Sequence, residues 1–423
     1  MTEVTLQQIL QAREDRALLQ KRLLREHSCP LICFTMNIAG PIKTSALIQW
    51  GFQAGLDSLL TALPVPTRHH QVRFTPTGCE GYISVPLPAI ELKQLCTEIE
   101  EATPLGRLFD MDVIDVDGKK LQRTVERACL ICGKPGRTCA ARRLHPVKEL
   151  QAVTEQILVS ELAVQSLLRE ADTTPKPGLV DRRNNGSHKD MCLQTFISSA
   201  NALRPYFAQC AAIGQQTAQL PPADTFQFLR QAGIQAESTM LKATGGVNTH
   251  KGAIFTLGIL CGSIGRLGSY KTEDILLQVS LIGKVAEQDF AHADGSTAGE
   301  RLYLQNHLRG IRGEVAGGLP SVANIGLPAY KNGLRKGLSP NHAGVVALLH
   351  LIANVKDTNL HHRGGSDGAD WAAKSAQALL QTAAHPPIPP VEALDDAFIA
   401  RNLSPGGCAD LLAATYFLHS LNP

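Results

Sequence analysis

The chain has 423 residues, 44% hydrophobic, 19% charged and 5% aromatic, with a formal net charge of +3. That length is too great for one ordinary core and implies two or three domains of a water-soluble globular protein. So few aromatic residues and so small a charge exclude a stacking platform for single-stranded nucleic acid and a strongly basic nucleic-acid face, but leave room for a local phosphate pocket.

The opening MTEVTLQQILQAREDRALLQKRLLREH is polar and amphipathic, unlike a secretion signal, and no run of 18 apolar residues follows. Neither a leader nor a membrane span is expected. Eleven cysteines in such a chain are expected to be reduced thiols of a cytoplasmic protein. Over residues 6–26, Ile9, Ala12, Leu19 and Leu23 recur at helical spacing. CPLICFTMNIAGP then reads as a buried strand, Leu31 to Ile38, ended by Gly40-Pro41. A helix is expected over 43–62, strands within HQVRFTPTGCEGYISVPL, and an amphipathic helix over 88–101. GRLFDMDVIDVDGKKLQR alternates like a strand, and its Asp117-Gly118 pair signals a hairpin. These features predict an α+β domain with a mixed or antiparallel sheet over residues 1–150.

From 147 the texture changes. Val147, Leu150, Val153, Ile157, Leu158, Leu162 and Leu167 predict one long helix over 147–171. Helical stretches then alternate with breaks rich in Gly, Asn, Asp and His. A helix over 188–207 places Cys192, Phe196, Ala200, Leu203 and Phe207 on one face, and Thr297 with Glu300 forms a capping-box pattern. The last helix is expected to be capped by Ser404, with Pro405 at its first position. Residues 151–423 are therefore expected to form an all-α helical bundle. No Pro/Ser/Gly linker separates the two parts, and no internal repeat is present.

Three stretches of the first part carry candidate chemistry. Asp110 and Asp112 lie two apart on the expected strand, so both carboxylates face one side and suit Mg²⁺ bound together with substrate phosphates; a solvated strand face with Asp115 and Asp117 is the plain alternative. Cys129 and Cys132 form C-x-x-C, and with Cys139 and His145 they offer three thiols and an imidazole for a tetrahedral Zn²⁺. The second C-x-x-C of a zinc finger is missing, so reduced cysteines beside a basic loop are the plain alternative. Arg137 and Arg142 of that loop are candidates for phosphate. NIAGPIKTS, with Asn37 and Lys43, joins a strand to a helix and offers free N–H groups to an anion, a purely structural joint being the equal alternative.

In the second part, TTPKPGLVDRRNNGSHKDM breaks the helical pattern with two prolines and two glycines. Its Asp181 and Asp190 are candidates for metal binding or base catalysis, and its Lys176 and His188 for phosphate. GGVNTHKGAIF places Asn248, His250 and Lys251 at the start of a helix, a seat for phosphate. AHADGSTAGE adds His292 and Asp294, VKDTNLHHRGGSDGAD adds Asp357, Asn359, His361, Arg363 and Asp367, and NLSPGGCAD adds Asn402 and Asp410. Five polar breaks in one helical domain are expected to meet at one end of the bundle.

These stretches carry a resemblance. Through NIAGPIK, GRLFDMDVID and CLICGKPGRTCAARRLH, the first 150 residues resemble citrate lyase holo-acyl-carrier-protein synthase, the transferase that attaches the citrate lyase prosthetic group. Through TTPKPGLVDRRNNGSHKDM, GGVNTHKGAIF, DTNLHHRGG and SPGGCADLLA, the remainder resembles triphosphoribosyl-dephospho-CoA synthase. The resemblance implies two consecutive reactions. The C-terminal domain would join ATP and 3'-dephospho-CoA, releasing adenine and giving 2'-(5''-triphosphoribosyl)-3'-dephospho-CoA. The N-terminal domain would transfer that group to a serine of apo citrate lyase acyl carrier protein (the gamma chain), releasing pyrophosphate in a nucleotidyl-type reaction. The residue chemistry agrees: Asp110 and Asp112 with a divalent ion serve the transfer, and Lys43, Arg137 and Arg142 the phosphates. His188, His250, Lys251 and Arg363 would hold the triphosphate. The rival reading is a metal-dependent phosphohydrolase joined to a zinc-stapled interaction module.

Overall fold

The computed structural model describes residues 2–288, 294–295 and 298–422. His292 and Thr297, singled out from the sequence, lie outside the described residues. The chain divides into two compact units, Met1–Glu161 and Leu162–Pro423. Among the described residues no single helix is long and apolar enough to cross a membrane.

The first unit contains α1 (Leu6–His27), β1 (Leu31–Met36), α2 (Ala46–Ala62), β2 (His69–Thr75), β3 (Gly78–Ser84), α3 (Ala89–Ala102), β4 (Phe109–Ile114) and α4 (Gly136–Arg142). It ends within α5 (Val147–Asp172). The four strands form an antiparallel sheet in the order β2-β3-β1-β4. The β-α-β-β-α-β run from β1 to β4 is the split βαβ, ferredoxin-like arrangement. β1 is central and both its faces are covered, so Leu31–Phe34 is uniformly buried rather than alternating. On one face Leu31 and Cys33 meet Leu19, Leu23 and Leu24 of α1 and Tyr82 of β3. On the other, Phe34 stacks on Phe52 of α2 at 4.6 Å and meets Phe109 edge-on at 5.2 Å. α1 starts at a capping box in which Thr5 and Gln8 bond reciprocally. α2 starts later than the sequence pattern suggests, because Ser45 caps it, and Lys43 stays in the preceding turn.

The second unit is helical. After the rest of α5 come α6 (Leu193–Ala202), α7 (Arg204–Gln216), α8 (Pro222–Ala243), α9 (Lys251–Leu267), α10 (Thr272–Glu287), α11 (Ala298–Asn306) and α12 (Gly310–Ala316). Then follow α13 (Leu327–Arg335), α14 (Pro340–Asn354), α15 (Thr358–Thr382), α16 (Ile388–Ala400) and α17 (Gly406–Leu421). α9, α14 and α17 are buried almost all round, as befits helices without a polar stripe. Small residues let backbones touch: a Cβ on Gly214 would lie 2.1 Å from the Gly262 carbonyl oxygen, so α7 and α9 pack closely. The single helix expected over 188–207 is two. α6 stops at Ala202 and α7 restarts at Arg204, since Pro205 is tolerated only in a first helical turn. Pro405, not Ser404, holds the N-cap position of α17. α15 is broken at Gly365, whose φ is +64°.

Candidate functional site

Each unit has its own cavity. That of the second unit, about 1000 Å³, is lined by parts of four of the five polar breaks, 176–191, 248–252, 354–363 and 404–411. The segment 307–321 also contributes, with Arg309, Glu314 and Ser321, and was not singled out in the sequence. Asp294, His361, Asp367 and Asn402 are not among the lining residues.

The break after α5 is tightly built. The Thr174–Pro175 bond is cis, and Thr174 exchanges hydrogen bonds with the Asn341 side chain. Gly178 has φ +72°, and a Cβ there would lie 2.2 Å from the Leu403 carbonyl oxygen, so only glycine fits. Asp181 is 3% exposed, and its carboxylate accepts the backbone N–H groups of Lys176, Arg183 and Asn184 at 2.8, 2.6 and 3.1 Å. It is not a lining residue; its oxygens hold its own loop closed. Buried Asp395 of α16 does the same from outside, accepting Gly178 N–H at 2.9 Å, Arg183 Nη1 at 2.6 Å and Asn184 Nδ2 at 2.7 Å. Asp190 does line the cavity, at its exposed edge.

The cavity floor is acidic. Glu170, Asp357 and Asp410 line it together with Lys176 and His250. Lys176 is 1% exposed and donates from Nζ to the Glu170 carbonyl and to its carboxylate, the latter at 2.5 Å. Burial pushes the Glu170 carboxyl up, and Lys176 holds it down. Asp357 caps α15 by accepting Asn359 and Leu360 N–H, and its other oxygen accepts Cys408 N–H at 2.8 Å, tying α15 to the start of α17. Asp410 lies against the first turn of α9: a Cβ on Gly252 would sit 2.0 Å from its Oδ2. The helix start expected to seat a phosphate thus already faces a carboxylate. Burial pushes the Asp410 carboxyl well above the usual range, and the charges of Glu170 and Asp357 add to that; the Ala253 N–H opposes it.

His250 is 3% exposed, and burial, with Lys176 nearby, pushes its pKa down to about 3. It is therefore neutral near pH 7 and is not the cation for phosphate that its sequence context suggests. The cations stand at the rim: Lys251, Arg309 and Lys356 are exposed and Arg363 is half-buried. Lys251 pairs with Glu237 at 2.9 Å and Arg309 with Glu287 at 2.8 Å. Arg363 donates to the Ser187 carbonyl at 2.8 Å and to His188 Nδ1 at 3.2 Å, while His188 Nε2 meets Ser404 Oγ at 2.9 Å. Asn248 and Asn359 complete the exposed edge.

The cavity of the first unit, about 880 Å³, is lined by Asn37, Asp110, Asp112, Arg137 and His145 among others. The register of β4 on β1 sets Asp112 opposite Cys33 and Asp110 opposite Thr35, so both carboxylates share one face, as period two requires. Burial raises the Asp110 carboxyl, and Asp112 raises it further. Lys120, brought back by the Asp117-Gly118 turn, pairs with Asp112 at 2.5 Å. Glu100, buried on α3, organises the loop beyond: it pairs with Arg123 at 2.6 Å, with Arg127, and accepts Met111 N–H at 2.7 Å. Those arginines are spoken for, whereas the guanidinium groups of Arg137 and Arg143, which line the cavity, have no partner among the described residues; the Arg137 backbone N–H donates to Glu126 at 2.8 Å. Arg142 and Lys43 do not line it; Lys43 Nζ donates to the Ile38 carbonyl.

The Cys/His stretch folds into one cluster. The ligand atoms of Cys129, Cys132, Cys139 and His145 all lie within 4.8 Å of one another. Cys132 Sγ is 3.5 Å from Cys139 Sγ and 3.4 Å from His145 Nε2. The 3.5 and 3.4 Å spacings match the edges of a tetrahedron around a zinc ion with bonds of about 2.0–2.3 Å. The second ring nitrogen of His145 faces Glu149 at 3.6 Å, the outer partner a ligating imidazole needs. The Lys134 N–H and His145 lower the Cys132 thiol to about 6, favouring the thiolate that a metal requires.

Comparison with known proteins separates the same two parts. The family model for apo-citrate lyase phosphoribosyl-dephospho-CoA transferase (CitX) matches residues 4–161. That for ATP:dephospho-CoA triphosphoribosyl transferase (CitG) matches residues 158–423. Protein CitXG of Haemophilus influenzae is 37% identical, over 99% of this chain and 97% of its own length. Protein CitXG of Leuconostoc mesenteroides subsp. cremoris is 33% identical with the same coverage. A probable 2-(5''-triphosphoribosyl)-3'-dephosphocoenzyme-A synthase of Vibrio cholerae is 44% identical over 62% of this chain and 88% of its own length. With both family models matched in one polypeptide and two-part relatives aligned nearly end to end, the chain belongs to the CitXG family of transferases, which joins a CitX and a CitG domain.

Proposed function

We propose that the second unit makes 2'-(5''-triphosphoribosyl)-3'-dephospho-CoA from ATP and 3'-dephospho-CoA, and that the first attaches it to a serine of apo citrate lyase acyl carrier protein. The observation that carries the first assignment is the cavity's polarity: buried carboxylates on the floor and cations on the rim. A triphosphate is repelled by the floor and attracted by the rim, so the nucleoside end of ATP enters first. The ribose 2'-oxygen of dephospho-CoA then forms a bond to the anomeric carbon of ATP as the bond to adenine breaks. Asp410 takes the hydroxyl proton. Its environment raises its proton affinity toward that of an effective base, which Asp181, spent on its own loop, does not match. Lys176, locked to Glu170, keeps the floor from carrying three uncompensated charges.

In the first unit the serine oxygen of the carrier attacks the phosphorus that bears the departing pyrophosphate. Arg137 and Arg143, whose guanidinium groups have no partner among the described residues, receive the phosphates, and Asn37 orients them. Asp110 and Asp112 fit a divalent ion such as Mg²⁺, which when bound shields phosphate charge; Lys120 fills part of that role on Asp112. Cys129, Cys132, Cys139 and His145 would hold a structural zinc ion, which would staple the wall of this cavity.

A coupled assay with ATP, dephospho-CoA and apo carrier protein tests the whole reading. Adenine release that depends on dephospho-CoA, then pyrophosphate release and a mass gain on the carrier, is expected. Inorganic phosphate in place of adenine would point to a hydrolase.

A further inference from the structure

One buried nitrogen among the lining residues of the second cavity has no partner among the described residues. Ser199 Oγ makes two hydrogen bonds: it accepts from Thr249 Oγ1 at 2.8 Å and meets His250 Nδ1 at 2.7 Å. Since Thr249 supplies the proton of the first bond, the Ser199 hydroxyl has its own proton for the second. His250 Nδ1 is then the acceptor, and the ring proton sits on Nε2. The reverse tautomer would leave the Ser199 hydroxyl, itself 0% exposed, without an acceptor. His250 Nε2 is buried with no partner among the described residues. Leaving a buried donor unpaired costs about 1–3 kcal/mol, which a ligand with an acceptor removes.

We propose that His250, presented as its Nε2–H tautomer by Thr249 and Ser199, is the hydrogen-bond donor to the purine base that leaves. The proposal rests on ATP being the pentose donor of this unit. Three features select a purine over a phosphate oxygen. The imidazole is uncharged, because burial, then Lys176, pushes its pKa down to about 3. It shares the floor with Glu170, Asp357 and Asp410, which repel phosphate. The ring of Phe196 meets it edge-on at 5.1 Å, and Leu179, Val180 and Met191 also line the cavity, an apolar setting for a flat heteroaromatic base. As the bond from the anomeric carbon to the base breaks, its electron pair passes to the purine and spreads over the ring nitrogens. A fixed N–H donor is worth most at that moment. His250 keeps its proton throughout; the departing base takes a proton from water, and the hydroxide left is neutralised by the proton that Asp410 took from the 2'-hydroxyl.

The test measures dissociation constants of ATP and its 1-deaza, 3-deaza and 7-deaza analogues on the full chain, for wild type, His250→Phe and His250→Gln. One analogue should bind wild type about tenfold more weakly than ATP, His250→Phe should bind the two alike, and His250→Gln, which keeps an N–H, should recover part of the difference. An equal loss for ATP and all three analogues in His250→Phe would overturn the proposal. Independently of any variant, ¹⁵N spectra of histidine-labelled wild type should show His250 with an unprotonated Nδ1 and no titration from pH 8 to 5. The opposite tautomer, or titration in that range, would also overturn it. Failure of wild type to release adenine from ATP would instead remove the reaction on which the proposal depends.

Discussion

The two cavities invert each other's electrostatics. In the second unit Glu170 and Asp357 are at most 4% exposed and the cations Lys251, Arg309 and Lys356 face solvent. In the first unit Asp110 and Asp112 are half-buried on an open strand face, and the deeply buried acid, Glu100, is paired with two arginines. The difference follows from the scaffold. Helices close a floor on all sides and can desolvate a carboxylate, whereas the outer strand of a four-stranded sheet leaves one flank open. Desolvation favours proton transfer; a half-open carboxylate pair favours charge shielding. The contrast suits a sugar-transfer step in one unit and a phosphorus-centred step in the other.

The largest expected effect is on the floor. Asp410→Asn should slow adenine release about 10²- to 10⁴-fold, the usual range for loss of a general base, with dephospho-CoA binding retained. Transfer of preformed precursor to the carrier should continue. A normal rate of adenine release in this variant would erase the assigned difference between the cavities. Asp110→Asn with Asp112→Asn should cut transfer to the carrier about 10²-fold, a loss of about 3 kcal/mol of barrier lowering, while adenine release persists. Unchanged transfer would refute the metal assignment.

Smaller effects sharpen the picture. Cys132→Ser with Cys139→Ser should lose one equivalent of zinc and lower the melting temperature of the first unit, leaving that of the second in place. Metal analysis with calorimetry decides it, and a zinc-free wild-type protein would sink the staple. The smallest effect is a pH dependence. His250 has its folded pKa depressed to about 3, so the unfolded chain binds the proton below its ordinary value near 6.5 and the folded chain does not. Its contribution is full above about 6.5 and declines as pH falls toward 3. Between pH 7 and 5 wild type should therefore lose about 2 kcal/mol of stability relative to His250→Phe, read from denaturant midpoints at each pH.

Much of the site was legible along the chain. Two-residue spacing put Asp110 and Asp112 on one face, and the Cys/His spacing brought four candidate ligands together because a short turn joins them. The motif-bearing breaks around Lys176, His250, Asp357 and Asp410 do converge, since helices of a bundle expose their ends together. Glu170 and Glu314 carried no such signal, as each sits inside a helical pattern. Asp181 and His250 were visible as residues but not as states. Nothing local says that Asp181 would be consumed by three N–H groups of its own loop, or that His250 would be buried beside Phe196 and stripped of charge.

By itself the sequence determined the division into an α+β part and a helical part, the family, and the stretches that bear chemistry, because periodicity, turn residues and motif spacing are local properties. Only the tertiary structure decided which side chains are free to act. Protonation state and availability depend on burial and on partners distant in the chain: Arg123 on Glu100, Arg183 on Asp395, Cys408 on Asp357, His250 on Ser199. Those partners are set by how the elements pack, which no local pattern encodes.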